Sequence, residues 1–124
     1  MDIIETKNAP AAIGPYSQAI KVNGLVYTSG QIPIDPKTGA IEACCIEVQT
    51  EQVIKNLSAV LTATGSSLEK VVKTTCFLKN IKDFAVFNDI YAKAFTGKPA
   101  RSCVEVSNLP KGALVEIEAI AIAE

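Results

Sequence analysis

The chain has 124 residues, of which 48% are hydrophobic and 20% charged, enough for one domain with a real core and too few for two. Its net charge of −1 comes without a cluster of Lys or Arg, so we expect no nucleic-acid partner. Histidine is absent, which excludes Ser-His-Asp and Cys-His catalysis and histidine metal sites and leaves carboxylates, Arg101, tyrosines, hydroxyls and main chain.

The apolar runs are far shorter than a membrane span, and the first residues carry acids where a signal peptide has a basic region. We therefore expect a cytoplasmic protein with no membrane partner. The cysteines Cys44, Cys45, Cys76 and Cys103 follow neither a metal-ligand spacing nor a secreted disulfide pattern. We expect all four to be reduced and mostly buried. The sequence leaves open whether Cys44-Cys45 is exposed and redox-active.

The first third of the chain predicts three short strands and a long loop. Ile3 and Ile4 open the first strand. Residues 17–22 and 25–29 flank Asn23-Gly24, the dipeptide that best supplies the positive φ angles of a type I′ turn, and this predicts a β-hairpin. Two prolines and two glycines make residues 30–39 an extended loop.

The middle of the chain predicts a helix, a strand and a second helix. Apolar residues recur every three or four positions between about residues 47 and 64, and Gly65 follows where a helix C-cap belongs. Residues 71–79 are β-branched and aromatic enough for a strand. Asp83 stands in the N-cap position of a second amphipathic helix, which Gly97 and Pro99 end.

Residues 99–118 predict a second β-hairpin, because two alternating runs flank the turn-like residues 109–112. Alternation puts one wholly apolar face on this hairpin and one mixed face. We expect the mixed face to carry Arg101, Cys103, Glu105, Glu116 and Glu118 together with Ile120 and Ile122. A guanidinium, a thiol and carboxylates among large aliphatic side chains suggest a functional site or a subunit interface.

The predicted order is β-β-β-α-β-α-β-β, which gives an α+β two-layer sandwich with a six-stranded, mostly antiparallel sheet. Two helices cover only one face of such a sheet. The other face would expose a large apolar patch, so we expect a homo-oligomer.

Several long blocks resemble the RidA family of imine/enamine deaminases, also called the YjgF/UK114 family: NAPAAIGPYSQAI, VYTSGQIPIDPKTG, VVKTTCFL, FAVFNDIYAKAF and PARSCVEVSNLPKGALVEIEAIA. The resemblance covers essentially the whole chain and implies one domain over residues 1–124. It further implies a chorismate-mutase-like homotrimer, without a cofactor, whose three sites lie in clefts between subunits. The implied reaction hydrolyses reactive 2-imino acids, formed from 2-aminoacrylate and related enamines, to 2-oxo acids and ammonia.

The resemblance also assigns site residues. Arg101 matches the arginine that binds the substrate carboxylate, and Glu116 matches the glutamate that positions or activates the attacking water. The other matching cleft positions are Tyr16, Ser29, Gly30, Asn88 and Cys103, with Gly30 and Cys103 contributing main-chain groups. One departure is the short segment Thr96-Gly97-Lys98, where many members have a longer loop, so the cleft rim should be more open and more basic.

Each assignment has a structural alternative. Arg101 suits bidentate carboxylate binding, but it could instead pair with Glu105 or Glu118. Glu116 could be part of a solvated strand face. The remaining alternatives are an interface residue for Tyr16, a plain turn for Ser29-Gly30 and a scaffolding role for Asn88. Cys103 is interpreted as a pocket wall, and its alternative role is that of a nucleophile, for which no neighbouring histidine or lysine lowers the pKa.

Two other functions are compatible with these residues. A non-catalytic trimer could bind 2-oxo or 2-amino acids in the same cleft as a regulatory module. A ribonuclease activity, attributed to some relatives, is disfavoured by the acidic pI and the lack of histidine.

Overall fold

The computed structural model describes residues 1–123, which form six strands and two α-helices. The strands are β1 (Asp2–Ile4), β2 (Ala19–Val22), β3 (Leu25–Thr28), β4 (Val71–Leu78), β5 (Ala100–Glu105) and β6 (Val115–Ile122), and the helices are α1 (Ile46–Ala63) and α2 (Phe84–Ala94). Among these residues no helix is long and apolar enough to cross a membrane.

The six strands form one sheet in the order β1-β2-β3-β6-β4-β5. Neighbouring strands are antiparallel except β4 and β5, which run parallel and are connected through α2. The predicted α+β class and the mostly antiparallel six-stranded sheet are therefore confirmed.

The predicted hairpin between residues 102–106 and the strand after Leu114 is wrong. β5 pairs with β4, while β6 is inserted between β3 and β4. The turn-like residues Pro110–Gly112 form a short 3₁₀ turn within a connection that crosses from the edge of the sheet to its centre. This arrangement gives the apolar strand β6 two neighbours instead of one, and its alternate residues Val115 to Ala121 are buried.

The predicted placement of Arg101 and Cys103 on the same sheet face as Glu116 is correspondingly wrong. Arg101 lies opposite Thr74 and Cys103 lies opposite Cys76 on β4, and Thr74 and Cys76 are fully buried under the helices. Residues opposite each other in a ladder point to the same side of the sheet. Arg101 and Cys103 therefore point to the helix-covered face, whereas Glu116 pairs with Phe77 on the opposite face.

The turn and cap signals of the first half are confirmed. Asn23 and Gly24 have φ of 52° and 77°, as a type I′ turn requires. After α1, the amide of Gly65 donates to the Thr62 carbonyl and that of Ser66 donates to the Leu61 carbonyl, the pattern of a Schellman motif.

The start of α2 is capped differently from the prediction. Asp83 precedes the helix but makes no side-chain cap bond. Asn80 instead accepts a hydrogen bond from the Lys82 amide and starts a 3₁₀ turn that leads into α2.

The core lies between the sheet and the helices, while the other sheet face is open. Register places Ile3, Ile20, Tyr27 and Ile120 in one row on that open face. Ile3 is 66% exposed and Tyr27 43% exposed. Such a row is the uncovered apolar surface that the sequence predicted.

Candidate functional site

Glu116, the second residue of β6, projects into a cavity of about 500 Å³ on the open side of the sheet, which we call the Glu116 cavity. Three of the predicted site residues, Tyr16, Ser29 and Gly30, line it as well. The remaining lining residues are Pro10, Ala11, Ile13, Gln18, Gln31, Ile32, Ile34, Pro110 and Lys111. The cavity is mostly apolar around a single carboxylate, as expected for a small-molecule site.

Gly30 packs directly against the Glu116 side chain. The Gln31 amide donates to the Ile117 carbonyl at 2.8 Å, and the Ile117 amide donates back to the Gln31 carbonyl at 3.1 Å. This isolated bridge holds the loop beside β6. A Cβ atom on Gly30 would lie 2.7 Å from the carboxyl carbon of Glu116, closer than real side chains approach. A side chain at position 30 would therefore displace the Glu116 carboxylate.

The environment of Glu116 favours its neutral form. Burial raises the pKa of this carboxyl above its usual 4.5, and the negative charge of Glu118 adds to the increase. A glutamate with a raised pKa accepts and returns protons near neutral pH more readily than a solvated one. The alternative that Glu116 is a fully solvated strand residue does not fit this burial.

Ser29 and Tyr16 occupy different positions on the cavity wall. The Ser29 hydroxyl donates to the Ser17 carbonyl at 2.5 Å, so the side chain fastens two neighbouring segments. Tyr16 is 53% exposed, with its ring on the rim. This exposure is compatible with both sequence readings, a ring wall of the site and a residue of a subunit interface.

A buried glutamine that the sequence reasoning missed fixes one wall of the Glu116 cavity. Gln18 is 3% exposed. Its Oε1 accepts a hydrogen bond from the Thr6 amide at 2.7 Å, and its Nε2 donates to the carbonyls of Thr6 at 3.0 Å and Pro10 at 2.8 Å. The Gln18 side chain thus satisfies backbone amide and carbonyl groups of the loop before Tyr16 that have no partner in regular secondary structure.

Two further buried amides on α1 hold the other loops. Asn56 donates to the carbonyls of Ile32 and Ile34 at 3.0 and 2.9 Å. Gln49 donates to the Ala43 carbonyl at 3.1 Å and accepts from the Leu114 amide at 2.8 Å. The sequence contained a signal for both, since polar residues at positions 49 and 56 interrupt the apolar stripe of the helix.

Arg101 lies on the other side of the sheet, in a groove of about 550 Å³ between β5 and α2 that we call the Arg101 groove. Its Nη1 donates to Asn88 Oδ1 at 2.8 Å. The guanidinium carbon is 4.7 Å from the ring centre of Tyr91 and 5.4 Å from that of Phe84. Tyr91 is itself fixed by a 2.7 Å hydrogen bond with Thr74. The groove is further lined by Ala92, Phe95, Thr96, Lys98 and Pro99.

These contacts do not support the alternative in which Arg101 forms an ion pair with Glu105 or Glu118. Its side-chain partner is the neutral amide of Asn88. Glu105 accepts from the backbone amide of Ile81 instead, and Glu118 points to the opposite face. Stacking on aromatic rings leaves a guanidinium fork able to bind a carboxylate.

Cys103 lies two residues after Arg101 on the same strand and lines neither cavity. Burial raises the pKa of its thiol, and the nearby Arg101 opposes this increase only in part. A thiol with a raised pKa is a poor nucleophile at neutral pH. Within one chain Cys103 therefore forms part of the wall of neither cavity.

The predicted site residues fall into two groups in one chain. Tyr16, Ser29, Gly30 and Glu116 line the first cavity, whereas Asn88 and Arg101 line the second. The short segment Thr96–Lys98 belongs to the Arg101 groove, where Lys98 has a φ of 52°. Residues 1–123 contain no cluster of three or more His, Cys, Asp or Glu side chains that could hold a metal ion.

Comparison with known proteins identifies the family. Residues 6–123 match the family described as Endoribonuclease L-PSP. The Putative regulator AldR of Lactococcus lactis is 59% identical over 122 residues, covering 98% of this chain and 97% of that protein. The 2-iminobutanoate/2-iminopropanoate deaminase of Salmonella typhimurium is 50% identical over 123 residues, covering 96% and 95%.

The solved structure of E. coli TdcF with bound serine has a TM-score of 0.95 to this chain at 41% identity, and 100% of both chains is covered. The fold is therefore that of a small-molecule-binding relative. A family match over residues 6–123 and relatives of at least 50% identity over nearly their full lengths show that this chain belongs to the endoribonuclease L-PSP family, which includes the RidA deaminases.

Proposed function

We propose that this protein hydrolyses 2-imino acids to 2-oxo acids and ammonia without a cofactor. The observation that carries the proposal is the single half-buried carboxylate of Glu116, which has a raised pKa and faces a mostly apolar cavity. The deaminase name of the Salmonella relative supports the same reaction. The substrates are the imines of small amino acids, which form when enamines such as 2-aminoacrylate tautomerise.

The chemistry needs two protein groups with different tasks. Water adds to the iminium carbon while Glu116 accepts one of its protons. The resulting carbinolamine collapses to the ketone, and Glu116 returns the proton so that nitrogen leaves as ammonia. Arg101 binds the carboxylate that every 2-imino acid carries, with two parallel N–H donors.

We propose that each site forms between two copies of the chain in a homotrimer. Arg101 and Glu116 lie on opposite faces of the same sheet. One small substrate cannot contact both within a single chain, whereas a neighbouring copy packed on the open face can bring its Arg101 to the Glu116 cavity. The exposed apolar row with Ile3 and Tyr27 provides a surface for this association.

A second candidate function is a regulatory trimer that binds 2-oxo or 2-amino acids without turnover. The relative named Putative regulator AldR and the serine bound to TdcF favour this reading. The two functions differ in whether Glu116 does chemistry or only shapes the cavity.

The deciding experiment generates the imine in situ and measures its hydrolysis. A pyridoxal-phosphate-dependent dehydratase supplies 2-iminobutanoate from threonine, and 2-oxobutanoate is followed with and without this protein against the spontaneous rate. The matched control is Glu118→Gln, because Glu118 is an exposed carboxylate on the same face of the same strand. We expect acceleration by the wild type and by Glu118→Gln, and none by Glu116→Gln.

Binding of 2-oxobutanoate without any acceleration by the wild type would favour the regulatory function. Light scattering tests the assembly independently: a monomer mass at micromolar concentration contradicts the shared site.

A further inference from the structure

The segment before α1 places two cysteine thiols in contact at the protein surface. Cys44 Sγ and Cys45 Sγ share a hydrogen bond at 2.9 Å. Cys44 is exposed and Cys45 partly exposed. The expectation that the cysteines are mostly buried thus holds for Cys76, which is 0% exposed, and fails for Cys44.

The backbone around this pair is fixed on both sides by one residue of α1. The Gln49 side chain donates to the Ala43 carbonyl at 3.1 Å, and the Gln49 amide donates to the Cys45 carbonyl at 2.9 Å. Cys45 occupies the N-cap of α1, yet its side chain makes no cap bond. Serine, threonine, aspartate or asparagine is usual at this position. The side-chain hydrogen-bond partner of each thiol is therefore the other thiol.

We propose that Cys44 and Cys45 form a reversible redox site that reacts with hydroperoxides and closes to a disulfide between adjacent residues. The Cys44 thiolate attacks the terminal peroxide oxygen and breaks the O–O bond, which gives a sulfenic acid and releases the other oxygen, after protonation, as an alcohol, or as water when the oxidant is hydrogen peroxide. The Cys45 sulfur then attacks the sulfenic sulfur, forms the S–S bond and releases the sulfenic oxygen as water. Two thiols lose two electrons and two hydrogens, and one hydroperoxide accepts them.

The geometry assigns the two thiols different tasks. The more exposed Cys44 meets the oxidant first. Once Cys44 is a thiolate, the Cys45 thiol donates to it, and this hydrogen bond is the first cause that raises the pKa of Cys45 and keeps it protonated as the resolving partner. The sulfurs then need to approach by only about 1 Å to reach a disulfide bond length.

The product is expected to be readily reduced. Adjacent Cα atoms across a trans peptide are about 3.8 Å apart, below the usual separation in disulfides. Strained and exposed disulfides have less negative reduction potentials than structural ones, so cellular thiols reverse the bond. The other two cysteines are poor competitors. Burial raises the pKa of the Cys103 thiol, and it raises the pKa of the Cys76 thiol to about 12.

The test is peptide mapping after mild oxidation. The full-length protein is treated with hydrogen peroxide at low molar excess, alkylated under denaturing conditions and digested with trypsin, which releases residues 38–55 with both cysteines in one peptide. We expect this peptide to lose two hydrogens and both alkylation sites, and to regain both after dithiothreitol. Cys76 and Cys103 should stay alkylated.

Two variants keep the result decisive. Cys44→Ser removes the partner of Cys45, so peroxide should produce no disulfide bond within this chain that dithiothreitol can reduce. Cys103→Ser should behave as the wild type. The proposal is overturned if the wild-type peptide stays fully alkylated, if it gains oxygen instead of losing hydrogen, or if the bond joins two chains. A circular dichroism spectrum of Cys44→Ser confirms that the variant is folded.

Discussion

Two inactive variants should restore each other's activity if Arg101 and Glu116 of one site come from different chains. Arg101→Ala removes the carboxylate clamp and leaves the Glu116 cavity intact. Glu116→Gln removes the proton acceptor and leaves the Arg101 groove intact. In one chain the two groups lie on opposite faces of the sheet, so neither change should disturb the local structure of the other.

The expected magnitude follows from symmetry. In a cyclic trimer every site uses Arg101 of one copy and Glu116 of its neighbour. With equal amounts of the two variants, a site is intact only when the first copy is Glu116→Gln and the second is Arg101→Ala, which random assembly gives for about one quarter of sites. The mixture should therefore regain about a quarter of wild-type activity, whereas the separate variants stay near the background.

The assay uses two purification tags, co-expression or co-refolding, and native mass spectrometry to verify mixed trimers before imine hydrolysis is measured. The control mixes wild type with a chain that carries both substitutions. Exchange should lower its activity from about half to about one quarter of that of an all-wild-type sample, because one altered chain damages two sites. Verified mixed trimers that remain inactive, together with a control that stays at one half, would refute the shared site.

Arg101→Lys should lose on the order of a hundredfold in turnover with an unchanged melting temperature, because an ammonium cannot reproduce the bidentate fork; steady-state kinetics beside thermal melts check this. Glu116→Gln should still bind 2-oxobutanoate in calorimetric titration while its turnover falls by roughly two to four orders of magnitude, and near-full hydrolysis would make the carboxylate structural. Because the pKa of Glu116 is raised in the folded state, the wild type loses stability as the pH rises from 4.5 through the folded-state pKa. Glu116→Gln has no carboxyl group to ionise, so its melting temperature relative to that of the wild type should be higher at pH 7 than at pH 4. Gly30→Ala should displace Glu116 and lose activity, whereas the control Gly39→Ala, at a φ of 75° with open space around it, should lose about 1 kcal/mol of stability and keep activity. Hydrolysis should survive exhaustive chelation, and activity restored by a divalent ion would contradict cofactor-free chemistry.

Local signals in the sequence were sufficient for most elements. The apolar stripe of α1 and Gly65 predict the helix and its end, because both depend on neighbouring residues only. The alternation of β6 predicts its buried face correctly, since the period of a strand is a local property. The blocks that carry the family resemblance supplied the rest of the fold class.

The pairing of strands could not be predicted in the same way. Alternation along β5 does not say which strand lies beside it, and the residues 109–112 have turn chemistry whether they close a hairpin or end a longer connection. The wrong partner then placed Arg101 on the face of Glu116. The split of the site into two cavities is therefore visible only in the structure.

Buried amides were missed for a similar reason. Gln18, Gln49 and Asn56 acquire their importance from carbonyls and amides of distant loops. In the sequence they are polar residues at positions expected to be buried, and this pattern does not show which backbone groups they bind.

The central position of β6 has a consequence for how this protein is made. β6 joins β3 to β4, so the strands of residues 2–28 and those of residues 71–105 are separate ladders until residues 115–122 are available. During synthesis, both ladders present unpaired edges to other nascent chains. We expect ribosome-bound fragments that stop before residue 115 to be protease-sensitive and to bind chaperones, and chains released with β6 to become resistant in one cooperative step.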